Sequence, residues 1–138
     1  LTKQYDPKNV SLIFGGFTLS GYADGTFITV NRLNDSFRDI IGCDGEVGRL
    51  KTLDGRGDIG VTLLKTSGAN LFMSSISNGD EILAKGLLPS FIKDTNGRNV
   101  YSASESWILK PGQMTYSKSI DVVVWVIRCK HLIMFTGG

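Results

Sequence analysis

The chain has 138 residues and carries 15 basic against 13 acidic side chains, a formal charge of +2. That near balance demands neither a polyanion nor an anionic membrane as partner. The length suits one domain that buries about two-thirds of its unfolded surface without disulfide staples.

Cys43 and Cys129 are the only cysteines, a usage that fits two buried thiols in a reducing compartment better than a secreted scaffold. No apolar run approaches the ~20 residues needed to span a bilayer, and no leader-like segment opens the chain, so a soluble intracellular protein is expected. The sequons at Asn9 and Asn34 then read as chance matches. Seventeen glycines, seven phenylalanines and many β-branched residues predict an all-β domain rich in turns.

In chain order, residues 1–9 are polar, contain Pro7 and lack periodicity, and read as a flexible arm. Residues 10–14 form a strand, Gly15-Gly16 a turn and 17–19 a short return. Residues 26–33 alternate without a cleanly polar face, and 34–44 read as a loop with a short turn around 37–41. Residues 46–53 and 58–66 are expected to pair as a long antiparallel hairpin through the turn Asp54-Gly55-Arg56-Gly57.

One helix is expected after Ser67, with Asn70 as N-cap, an apolar stripe of Leu71, Phe72, Ser75 and Ile76, and a stop at Asn78-Gly79. The stripe is most simply a lid on a sheet. A strand over 87–94, interrupted by Pro89, turns at 95–98 into a strand over 99–110 that places Ser102, Ser104 and Ser106 on one face. After Pro111-Gly112 the chain resumes at 114–117. Residues 122–129 are apolar nearly throughout and read as a strand buried on both faces. A last short strand covers 132–135, before Gly137-Gly138.

The catalytic inventory is thin. His131 is the single histidine, and no Gly-x-Ser-x-Gly elbow precedes a helix. Cys129 and His131 at i, i+2 make half a metal site, but two further ligands are missing, so no metal or other cofactor is expected. Phosphate-cradling and calcium-loop spacings are absent, Arg56-Gly57-Asp58 reads as a wet turn, and Asp80-Glu81 as a solvated surface. An enzyme is not expected.

The order of four segments carries a resemblance: VSLIFGGFTLSGYADGTFITVNR from Val10, GCDGEVGR from Gly42, WILKPGQM from Trp107 and LIMFTGG from Leu132. Together they resemble the small single-domain tail tube proteins of contractile-tailed bacteriophages, from Tyr5 to Gly138. The resemblance implies a β-sandwich or barrel-like subunit with one flanking helix, whose strands join those of neighbours in an inter-subunit β-barrel. It further implies homohexameric rings, stacked into the inner tube of a virion tail assembled in the host cytoplasm. Tail sheath, baseplate and tail terminator proteins are the implied partners, and DNA passes through the lumen without specific binding.

On this resemblance, Tyr5, Asp6 and Pro7 of the arm and Asp54, Gly55, Arg56, Gly57 and Asp58 contact the next ring. Thr29, Asn31, Gly60, Thr62, Ser102 and Ser104 face the lumen, where polar side chains without many phosphate contacts let DNA slide. The chain departs from the family before its last strand, where Arg128, Lys130 and His131 replace a more acidic stretch. A tube protein of a genome-free contractile injection machine fits the same residues, and a monomeric ligand-binding β-sandwich is the remaining alternative.

Overall fold

The computed structural model describes residues 5–23, 25–84, 86–94, 99–114 and 121–136. The expected turn at 95–98, the resumption at 115–117, the start of the arm and Gly137-Gly138 lie outside the described residues. The fold is all-β with one helix.

A short 3-10 turn at Pro7–Asn9 is capped by Asp6, whose carboxylate accepts the Lys8 N–H at 3.0 Å. The chain then enters β1 (Val10–Phe14) and reverses into β2 (Phe17–Thr18). Gly15 and Gly16, at φ +60° and +84°, supply the left-handed pair that a two-residue hairpin turn requires. The remaining elements are β3 (Ile28–Arg32), β4 (Phe37–Ile41), β5 (Val47–Lys51), β6 (Gly57–Leu64), α1 (Ala69–Leu83), β7 (Leu88–Asp94), β8 (Asn99–Ile108), β9 (Gln113–Met114), β10 (Val122–Cys129) and β11 (Ile133–Phe135).

Strands lie in the order β2-β1-β7-β8-β10-β6-β3, with β11 beside β8 and β9 beside β10. Every strand pair within this sheet is antiparallel. The sheet rolls up, because Leu12 and Phe14 of β1 share one apolar cluster with Ile59, Val61 and Leu63 of β6, four strands further along. Tyr22 ties the roll: its backbone bridges to Leu63, and its hydroxyl oxygen accepts the Leu12 N–H at 3.2 Å. Burial raises the Tyr22 pKa above its ordinary value.

β6 shows the expected alternation, with Ile59, Val61 and Leu63 inward. β10 does not have two buried faces. Val123, Trp125, Ile127 and Cys129 point into the core, while Val122 and Val124 are exposed on the outer face. The expected serine row is also broken. The register runs from Ser90↔Ala103 to Leu88↔Ser106, leaving Pro89 alone on β7 against both Ser104 and Glu105 on β8. This bulge turns Ser106 into the core while Ser104 stays outside. Ser106 donates to the Leu88 carbonyl and, at 3.1 Å, to Ser90, whose hydroxyl lies 3.7 Å from the Cys129 sulfur. Burial pushes that thiol's pKa up.

The helix buries Ala69, Met73 and Ser77, with Phe72 and Ile76 packed beside them. Leu71 and Ser75, expected on the buried stripe, are exposed. The N-cap is Gly68 rather than Asn70. The helix also passes the expected stop at Asn78-Gly79, because its closing cap is assembled later. Ala84 takes φ +53° and bonds the Asp80 carbonyl, and the Asp80 carboxylate accepts the Gly86 N–H at 3.0 Å.

Candidate assembly interface

The largest departure from expectation is at residues 46–66. β5 does not pair with β6; it pairs with β4, from Phe37↔Lys51 to Ile41↔Val47, and the turn of that hairpin is 42–46. β6 instead lies between β3 and β10. The first and second arms form one bent ribbon, since Arg32↔Gly57 is followed by Leu33 N–H to Arg56 carbonyl at 3.1 Å and Thr52 N–H to Ser36 carbonyl at 2.9 Å. The segment from Asp54 to Gly57 is therefore a bend in the ribbon's root, not a hairpin tip.

That root is clamped. Asp54 accepts from the Arg56 guanidinium at 2.8 and 2.9 Å, from the Arg56 backbone N–H at 3.1 Å and from the Asn34 amide at 2.7 Å. These donors hold the Asp54 pKa at about 2, from an ordinary 3.8. Arg32 donates to the Leu132 carbonyl at 2.8 and 3.2 Å, and the Leu132 N–H donates to Gly55 at 3.0 Å. Glycine is required at Gly57, where a Cβ would meet the Leu132 side chain and, at 2.9 Å, the Asn31 carbonyl; a Cβ at Gly55 would meet the exposed His131 ring, which would have to turn away.

Beyond the root, every residue of β4 and β5 is exposed. One face carries Phe37, Asp39, Ile41, Val47, Arg49 and Lys51, and the other Arg38, Ile40, Gly48 and Leu50. Arg49 lies over the Phe37 ring at 4.1 Å. Ile41 is 72 % exposed and Leu53, at the root, 94 %. A two-stranded ribbon is marginal alone in water, and this one presents apolar side chains on both faces. Cys43 sits in the turn and is exposed, contrary to the expectation of two buried thiols. Sequence reasoning missed this hairpin; Phe-Arg-Asp-Ile-Ile before Gly42-Cys43-Asp44-Gly45 was the available signal.

The residues expected to face a lumen fall into two groups. Thr29, Asn31, Gly60 and Thr62 share the outer face of β3 and β6, with Thr29 opposite Gly60 and Asn31 opposite Asp58. A Cβ at Gly60 would meet Thr29 Oγ1 at 2.6 Å. Asp58 and Arg128 pair on the same face at 2.7 and 3.2 Å. The pair raises the Arg128 pKa, and it neutralises the charge there. Ser102 lies elsewhere on the outer surface, between Phe91 and Ile133 in neighbouring strands, with Ser104 two residues on. Of the arm residues, Tyr5 is exposed and Asp6 is taken up by the cap. β3 is hydrogen-bonded along β6 only, among the described residues, leaving its other edge open.

No group of three metal-ligating side chains occurs among the described residues. Among the described residues no helix is long and apolar enough to cross a membrane.

No family model matches the chain. It is 26% identical over 145 residues to Structural protein ORF10 of Pseudomonas phage KPP10, covering 99% of this chain and 84% of that protein. Among solved structures, a chain of the anti-feeding prophage cap (AFP tube terminating cap) superposes with a TM-score of 0.65 at 12% identity, covering 99% of this chain and 94% of that one. A chain of the PVC sheath-tube complex, from an extracellular contractile injection system in its extended state, gives 0.64 at 14% identity, covering 96% and 92%. A chain of the PVC sheath/tube terminator gives 0.58 at 12% identity, covering 99% of both. This chain is thus similar in sequence to a phage structural protein, and it shares its fold with chains from contractile injection systems.

Proposed function

We propose that the chain is a structural, non-enzymatic subunit of a phage contractile tail, a single domain that assembles with itself into stacked hexameric rings and forms the inner tube. The observation that carries this reading is the hairpin β4–β5, apolar on both faces and uncovered in the single chain. The open edge of β3 supports it, because pairing with a neighbour's strand removes that edge. Tyr5, Asp6 and Pro7 and the root residues Asp54 to Asp58 bridge successive rings. Thr29, Asn31, Gly60 and Thr62 face the lumen, and so do Ser102 and Ser104 from their separate place on the outer surface. DNA passes without specific binding, a reading supported by the Asp58–Arg128 pair, which neutralises a cation on the face that carries Thr29, Asn31, Gly60 and Thr62. Sheath, baseplate and terminator are the further partners, and the product is a virion tail put together in the host cytoplasm.

A second reading has its own support. The structures sharing this fold include a tube terminating cap and a sheath/tube terminator, which makes a capping ring the competing role. The same structures come from injection systems, so a genome-free machine is compatible with the fold. Sedimentation of the purified chain separates the roles. A tube subunit gives polymers that lengthen with concentration, and removal of residues 1–9 weakens them without lowering the melting temperature. A cap gives one closed ring at every concentration, and a ligand-binding monomer gives neither.

A further inference from the structure

The hairpin carries opposite charge at its two ends. Its tip holds Asp44 and Glu46, with the Asp44 carboxylate accepting the Glu46 N–H at 3.1 Å, and exposed Ile41 and Val47 on either side. Its root opens into a cleft of about 330 Å³ whose lining includes Arg32, Lys51, His131, Ser36, Phe37 and Leu53 and contains no carboxylate. The nearby Asp54 carboxylate is committed to Arg56 and Asn34. Arg32 is fixed by its bonds to the Leu132 carbonyl, so its positive charge stays in place whatever enters. Lys51 and His131 form no ion pair among the described residues.

A tip cannot reach its own root. The five residues of β4 hold the two ends roughly 17 Å apart at about 3.4 Å per residue. We propose that the acidic tip of one copy seats in the basic root cleft of another. Asp44 and Glu46 meet Lys51, His131 and Arg32, while Ile41 and Val47 cover Phe37 and Leu53. The two surfaces differ, so the contact is heterologous and propagates from copy to copy instead of closing as a pair. The inference rests on the self-assembly reading and deepens it by naming both halves of one contact.

Cysteine cross-linking of the full chain tests it. Cys43 is exposed at the tip and Cys129 is buried, so Ser36→Cys adds a second accessible thiol at the root. Within one copy the two positions are too far apart to bridge, since a disulfide needs Cα atoms within about 7 Å. Mild oxidation of assembled Ser36→Cys should give a ladder of dimers, trimers and larger species on a non-reducing gel, and adding Cys43→Ser should abolish it. The unmodified chain, with one exposed thiol, stops at dimers. Polymers that form normally but show no species above dimer would overturn the contact while leaving self-assembly intact. An unmodified chain that never polymerises would overturn the self-assembly reading and the contact with it.

Charge reversal gives a second readout. Glu46→Lys and Lys51→Glu should each raise the critical concentration for assembly at least about tenfold, through like charges brought together. Combining them in one chain should restore assembly. Single variants that assemble like the unmodified chain would contradict the proposed pairing.

Discussion

The indole N–H of Trp125 donates to Oδ1 of Asn70 at 3.0 Å, joining the first turn of α1 to the middle of β10. The same amide donates from Nδ2 to the Leu64 carbonyl at 2.9 Å, just past the last inward residue of β6. One side chain therefore registers the helix against two strands, a tertiary role rather than the expected capping one. Asn70→Ala strands a buried indole donor and should cost about 1–3 kcal/mol in urea denaturation. Asn70→Asp, which keeps the acceptor, should lose less. A loss for Asn70→Ala within about 0.5 kcal/mol, the range of ordinary surface changes, would mean the bridge is not formed in solution.

Asp54 predicts a pH dependence confined to the hairpin root. Its folded pKa of about 2 lies below the ordinary 3.8, held down by the Arg56 guanidinium and backbone and by Asn34. A depressed carboxylate favours the folded arrangement fully above the ordinary value, and loses that contribution as pH falls from 3.8 towards about 2. The protection factor of the Arg56 amide, its exchange corrected for the intrinsic pH dependence, should therefore fall over that interval and stay level above it, and Asp54→Asn should remove the step. A flat profile in the unmodified chain would contradict the clamp.

The exposed faces of β4 and β5 predict that stability and assembly can be separated. Ile40 and Leu50 are 52 % and 47 % exposed and lie outside the apolar core cluster. Ile40→Ser with Leu50→Ser should leave urea stability within about 0.5 kcal/mol of the unmodified chain, as exposed substitutions do. Assembly should be lost in the same preparation, read by sedimentation. A folded double variant that polymerises normally would show that the face carrying Ile40 and Leu50 is not a joining surface.

Much of this fold was legible because alternation reports which side of a strand faces the core. β1, its glycine turn, and the inward Ile59, Val61 and Leu63 follow from local pattern alone. Strand partners do not. Asp54-Gly55-Arg56-Gly57 has the letters of a tight turn, yet its glycines are there to let His131 and Leu132 approach, a contact made some 75 residues later in the chain. The β8 bulge was equally silent, since Ser104 and Ser106 look alike until the register against β7 separates them. The outer valines of β10 misled for a related reason. An apolar residue in a subunit with uncovered faces need not lie in that subunit's own core.

Negative-stain electron microscopy of the purified full chain tests self-assembly most directly. Hollow tubes built of stacked rings with six subunits each are the expected result. A monodisperse monomer at high concentration would contradict it.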